Sequence, residues 1–303
     1  MSKQYQIGTS GTPWGDTEKK LWLKSQSKKR CYKTLVISEI QALSALCDIE
    51  EYGLLSYQDD SYPLFALKSK HINTELPTIL ITGGVHGYET SGVMGAIAFA
   101  KYQMSSFTDK FNFIILPCIS PWGFETINRW NPNAIDPNRS FYSDSPALES
   151  YHAMQYINRS SANIIAHIDL HETTDTDNSE FRPALAARDG KINNNWNIPD
   201  GFYLVGHSQK PEPAFQKCII ETVQRVTHIA DADESSQLIG VDIEQFGVIN
   251  YDATALGLCM GFTQAPFVTT TEVYPDSQNT TEQECTDGQV AAIIGVIKYL
   301  DSL

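Results

Sequence analysis

The 303-residue sequence lacks the features that would tie it to a membrane, an oxidising compartment or nucleic acid. No stretch approaches 18 uninterrupted apolar residues, and the opening MSKQYQIGTSGTPWG has no apolar core of the signal-peptide kind. The expectation is a soluble, cytoplasmic protein. Cysteine is sparse and unpaired in pattern: Cys31, Cys47, Cys118, Cys218, Cys259 and Cys285 form no C-x-x-C. They read as reduced thiols, mostly in the core, and the sequons at Asn138, Asn158 and Asn279 then have no consequence. An excess of basic charge is also missing. The formal net charge of −14, spread without an acidic tail, argues against nucleic acid and anionic membrane surfaces as partners. There is no repeat, no low-complexity tract and no evident linker, so residues 1–303 are expected to form a single domain. The absence of a G-x-S-x-G elbow speaks against a serine hydrolase. GTSGTPWG and GGVHG lack the P-loop lysine and the dinucleotide-binding spacing.

What is present is an alternation of apolar runs and helical patterns. TILITGG, FNFIILP, NIIAHIDL, FYLVG and APFVTTTEV are short β-like runs, most of them apolar on both faces, as strands of a covered sheet are. Shorter β-like runs lie near Tyr52–Ser56 and Leu64–Lys68. Helices are expected over Lys33–Asp48, from about Glu89, between Pro146 and Ser160, over Glu212–Val226 and over Gln289–Leu300. The fold class is therefore α/β: a central twisted, largely parallel or mixed sheet covered by helices on both faces. In such sheets, sites collect where strands end.

Two motifs stand at such ends. His86-Gly87-Tyr88-Glu89 follows the glycines that close TILITGG, and Asp169-Leu170-His171-Glu172 closes NIIAHIDL. An H-x-x-E pair is weak alone, but a tight Gly-Gly turn lets an imidazole and a carboxylate converge on one ion. His167 and His171 are both candidates for a third ligand; His171 lies nearer the strand mouth. Either histidine by itself could be an ordinary hydrogen-bonded residue. Together, His86, Glu89 and His171 make a donor set of the catalytic zinc type, with a fourth position left for water. His71, His152, His207 and His228 have no such context, and His167 is expected in the core.

These pieces resemble the zinc carboxypeptidase family, including its branch of N-acyl-amino-acid deacylases such as aspartoacylase and succinylglutamate desuccinylase. GGVHGYE looks like the family's metal loop, PWGFETINRWNPNAIDPNRSF like its arginine-bearing segment, DLHE like its third-ligand strand, and TTTEVYPD like the strand of its catalytic glutamate. They run in family order from about Thr78 to Asp276. The resemblance implies one Zn2+ per chain on His86, Glu89 and His171, with Glu272 as general base and later proton donor. It implies that Arg129 stabilises the oxyanion, that Asn138 and Arg139 hold a substrate carboxylate, and that Asp136 orients the first zinc histidine. Tyr251 falls near the family's substrate-capping tyrosine. The sequence departs from the pattern where PWGF replaces Asn-Pro-Asp-Gly and where residues 175–240 have no counterpart among the motifs.

The implied activity is metallocarboxypeptidase-type hydrolysis of an amide bond in a peptide with a free carboxylate. The alternative on the same centre is a deacylase of N-acyl amino acids, with residues 175–240 as an insertion that either opens or closes the cleft. A non-catalytic carboxylate-binding module would be expected to have lost a ligand or the base, and all four positions are filled. Nothing in the sequence addresses the oligomeric state.

Overall fold

A computed structural model describes residues 5–57 and 60–303. The chain begins with helix α1 (Asp16–Ser25) and a short helical stretch ending in α2 (Ser38–Ala42). A hairpin follows, β1 (Cys47–Tyr57) with β2 (Asp60–Ser69), and then β3 (Thr78–Gly83), α3 (Thr90–Tyr102), β4 (Asn112–Leu116), α4 (Pro121–Thr126), α5 (Leu148–Arg159) and β5 (Ile164–Glu172). The remainder is α6 (Arg182–Asp189), β6 (Tyr203–His207), α7 (Pro213–Val223), a two-strand ribbon of β7 (Gln237–Leu238) and β8 (Val241–Asp242), β9 (Val248–Tyr251), β10 (Phe267–Val273) and α8 (Glu282–Asp301).

Eight strands form one mixed sheet in the order β1-β2-β4-β3-β5-β10-β6-β9. β4, β3, β5 and β10 run parallel, so their C-terminal ends open on the same edge. Every residue of β3 and β4 is buried, which is why both read as continuous apolar runs. The register sets Glu272 beside His171 on the neighbouring strand and Tyr203 beside Glu272 on its other side. Helices α3 and α8 pack on this sheet and on each other. α8 starts at a capping box in which Thr281 accepts from the Glu284 amide, two turns before the sequence pattern announced it.

The helix expected over Lys33–Asp48 stops at Ala42. Cys47 and Asp48 pair with Ser69 and Lys68 in the hairpin, so ladder hydrogen bonds override a helical apolar pattern that continues past Leu43. Residues 175–240 are not an insertion either, since they supply β6, an internal strand between β10 and β9, and α7 behind it. Helix α1 went unseen in the sequence. Its Trp22 is 1% exposed and lies 6.1 Å from Trp122 and 5.5 Å from Trp130, between ring centroids. Burying such a side chain stabilises by roughly 3 kcal/mol, so the N-terminal arm is fastened to the segment that carries Arg129. Among the described residues no helix is long and apolar enough to cross a membrane.

Candidate metal centre

The centre is built at the mouths of β3, β5 and β10. After β3 the chain must turn sharply to bring His86 back over the sheet, and Gly84 makes that turn at φ +58. Gly87 is required by space: a Cβ there would stand 2.1 Å from the Phe124 amide nitrogen and 2.3 Å from the Ser120 carbonyl oxygen. The loop is thus pressed flat against the start of α4, and Glu89 arrives at the residue that caps α3.

In that position Glu89 divides its carboxylate between two imidazoles. One oxygen lies 2.8 Å from Nδ1 of His86 and the other 2.7 Å from Nδ1 of His171. The far nitrogen of each ring rests on a second carboxylate, His86 Nε2 on Asp136 at 3.0 Å and His171 Nε2 on Asp169 at 2.7 Å. All five side chains are buried, and the two rings stand edge to face with centroids 4.9 Å apart. Among the described residues, His86, Glu89 and His171 are the group of three whose ligand atoms all lie within 4.8 Å of one another. Ligands on a tetrahedral zinc stand about 3.4 Å apart, so small rotations close this set on one ion.

The charges agree. Burial alone would raise the Glu89 carboxyl, but His171 and His86 outweigh it and hold the group well below the usual carboxylate range. Burial works the other way on His171, where Asp169 and Glu89 prevail and draw positive charge to the ring. A site that sets three carboxylates around two imidazoles, with both rings fixed on their outer edges, suits a borderline divalent cation such as zinc, whose binding would displace ring protons.

The other expected residues surround this group. Glu272 accepts from the Thr173 hydroxyl at 2.9 Å, and that hydroxyl also meets Tyr203 Oη at 2.8 Å. Burial and the charge of Glu89 push the Glu272 carboxyl up to about 8. Arg129 donates from Nε to Asp136 at 3.0 Å, and its Nη1 lies 3.6 Å from Asp177. Asn138 is buried, with its amide nitrogen 3.4 Å from His171 Nε2 and its oxygen accepting from the Cys259 amide at 2.7 Å. Arg139 stands exposed at the rim, its Nη1 donating to the Asn138 carbonyl at 2.7 Å. Tyr251 ends β9, and its phenol is raised by burial while the charges of Arg139 and Glu272 act on it in opposite directions. His167 is buried under the site on Thr82 at 3.0 Å, as its core placement required.

Three residues of the site were missed in the sequence. Asp169 had a readable signal, because residues two apart on a strand share a face and Asp-x-His therefore presents its carboxylate beside the ring. Thr173 and Asp177 had none. Asp177 accepts from the Tyr88 phenol at 3.1 Å and from the Thr174 amide at 2.8 Å, which joins the His86–Glu89 loop, Arg129 and the chain after β5 at one carboxylate.

The fold has counterparts among known proteins. The family model described as zinc carboxypeptidase matches residues 39–181. No curated protein matches the chain. Among solved structures, a provisionally assigned metallopeptidase from Shewanella amazonensis is 19% identical, with 89% of this chain and 92% of that one covered and a TM-score of 0.65. A metallo-carboxypeptidase from Burkholderia cenocepacia is 14% identical, covering 88% and 68%, with a TM-score of 0.62. One from Pseudomonas aeruginosa, in complex with (2-guanidinoethylmercapto)succinic acid, is 13% identical over 88% and 68%, at a TM-score of 0.58. At these identities the likeness is one of fold.

Proposed function

Taking this chain as one of the zinc carboxypeptidase type, by its fold and by the family match over residues 39–181, we propose that it hydrolyses an amide bond next to a free carboxylate. The observation that carries the proposal is the convergence of His86 and His171 on the two oxygens of Glu89, each ring held from behind by its own carboxylate. We read all 303 residues as one catalytic domain with one zinc ion. Six free thiols suit a reducing, cytoplasmic setting.

His86, Glu89 and His171 would hold the metal, which supplies Lewis acidity and lowers the pKa of water at the centre. Asp136 and Asp169 fix the tautomer of each ring so that Nδ1 faces Glu89. Glu272 takes the proton from the attacking water and returns it to the departing amine, a task for which a carboxyl raised by burial is suited. Arg129, clamped by Asp136 and Asp177, offers its remaining donors to the oxygen that becomes negative. Arg139 and Asn138 would bind the substrate carboxylate, for which a guanidinium with unused donors has the right shape. Tyr251 would close over the bound substrate.

Two measurements test this reading. Metal content by mass spectrometry should give about one ion per native chain and none in His86→Ala; a native protein without metal would end the proposal. A panel of peptides set against N-acetyl and N-succinyl amino acids decides the substrate class. Release of C-terminal residues supports the peptidase, whereas turnover of acylated amino acids alone would make the chain a deacylase.

A further inference from the structure

The loop that carries His86 and Glu89 is held by a residue from the N-terminal arm, outside the stretch matched by the family model. Arg30 Nη2 donates to the Gly87 carbonyl at 2.8 Å and, more weakly, to the Tyr88 carbonyl at 3.4 Å. Its Nη1 donates to Thr90 Oγ1 at 2.7 Å, and its Nε donates to the Phe124 carbonyl. The guanidinium lies over the Phe124 ring, 3.6 Å from the centroid. Gly87 and Tyr88 are the two residues between the ligands, and Thr90 immediately follows the second.

We propose that Arg30 is a positioning residue for the metal loop, setting the directions in which His86 and Glu89 present their ligand atoms. This rests on the reading of those residues as a metal centre. Four acceptors from two segments meet one planar fork, which fixes angle as well as distance; a lysine ammonium supplies charge without that geometry. Other contacts border the same loop. Gly87 is pressed on the backbone of residues 120–124, and the amides of Thr90 and Ser91 donate to Glu172 at 3.2 and 2.6 Å. Arg30 is itself anchored, since the amides of Lys29 and Arg30 donate to the Glu125 carbonyl at 2.7 and 3.2 Å, and the Glu125 carboxylate accepts from the Tyr32 amide and pairs with Lys28. Released from this grip, the Gly87–Tyr88 turn would sample other orientations, and each would misalign at least one ligand.

The expected result is that Arg30→Met binds zinc about tenfold more weakly in chelator competition, the loss typical when a group behind a ligand is removed. The visible spectrum of its cobalt-substituted form should shift, while the metal-free variant melts within a few degrees of metal-free native protein. Arg30, Thr90, Ser91 and Glu172 border a groove of about 1170 Å³, so free guanidinium has room to enter. In Arg30→Gly, millimolar guanidinium should restore affinity and spectrum. Should Arg30→Met fail to fold, Arg30→Lys carries the same comparison, weakened binding supporting the inference. Native affinity with an unchanged cobalt spectrum in a folded Arg30 variant would overturn it. Failure of the native protein to bind metal would instead strike the centre on which it rests.

Discussion

Glu272 and Asp169 carry the sharpest consequences for single residues. Glu272→Gln should keep its metal and its fold but lose about 10²- to 10⁴-fold in kcat, the usual contribution of a positioned acid–base group; full turnover would remove Glu272 from the mechanism. The sign of the pH dependence follows from its environment. Burial and Glu89 raise the carboxyl to about 8, and a base acts only when ionised, so kcat/KM should climb with pH along an acid limb. Coordination of Glu89 would offset the charge that helps to raise it, which places that limb below 8 in the loaded enzyme. A pH profile of native protein should show it. Asp169→Asn leaves His171 with a neutral partner in place of a carboxylate and should weaken metal binding about 10- to 100-fold, measurable by chelator competition. His86, Glu89 and His171 were legible in the sequence because short motifs followed strand-like runs. Asp169 sits in the same motif, and its role is carried by the two-residue strand period of a polar pair, which leaves no trace in an apolar pattern. Arg30 and Asp177 act across long sequence separations, where no local pattern reports contact.

Among the elements, the strands that form the mouth were readable and the helices around them less so. β3 and β4 announced themselves because a parallel strand buried on both faces has little polar alternation to confuse. The end of the helical stretch at Ala42 and the start of α8 at Glu282 were set by partners elsewhere in the chain and by a capping box, respectively. Helix α1, largely polar, gave no stripe to detect, and its docking rests chiefly on Trp22. Helix α5 offers a test of packing. Its Glu149 is fully buried, accepts from Tyr57 Oη at 2.6 Å and from Asn131 at 3.1 Å, and is raised by that burial. A carboxyl raised in the folded state contributes stability below its unfolded pKa and loses it as pH climbs through the folded one. Glu149→Gln cannot ionise; its amide oxygen can still accept from Asn131 while its amide nitrogen donates to the Tyr57 hydroxyl oxygen. Denaturant melts should therefore show a flatter stability profile across that range, and an unchanged slope would mean Glu149 does not titrate there.

For the whole molecule, a ligand that binds the folded chain and not the unfolded one raises stability by mass action. At free zinc one hundred times its dissociation constant the gain is about 2.7 kcal/mol, which for a chain of this size corresponds to a rise in Tm of roughly 5 °C. Calorimetry with and without chelator should show that difference in native protein and not in His86→Ala. An equal response in both would point to zinc acting elsewhere on the surface.

The parallel pairing of β10 with β5 sets Glu272 alongside His171 only after about a hundred intervening residues have folded into place. Strand pairing has a period of two, so a slip of a single residue would turn Glu272 to the reverse face of the sheet. The proposed hydrolysis would therefore depend on completed topology. On the proposed function, a chain with β5 in place but β10 unpaired would hold His86, Glu89 and His171 without Glu272, and hydrolysis would await the pairing of that last strand.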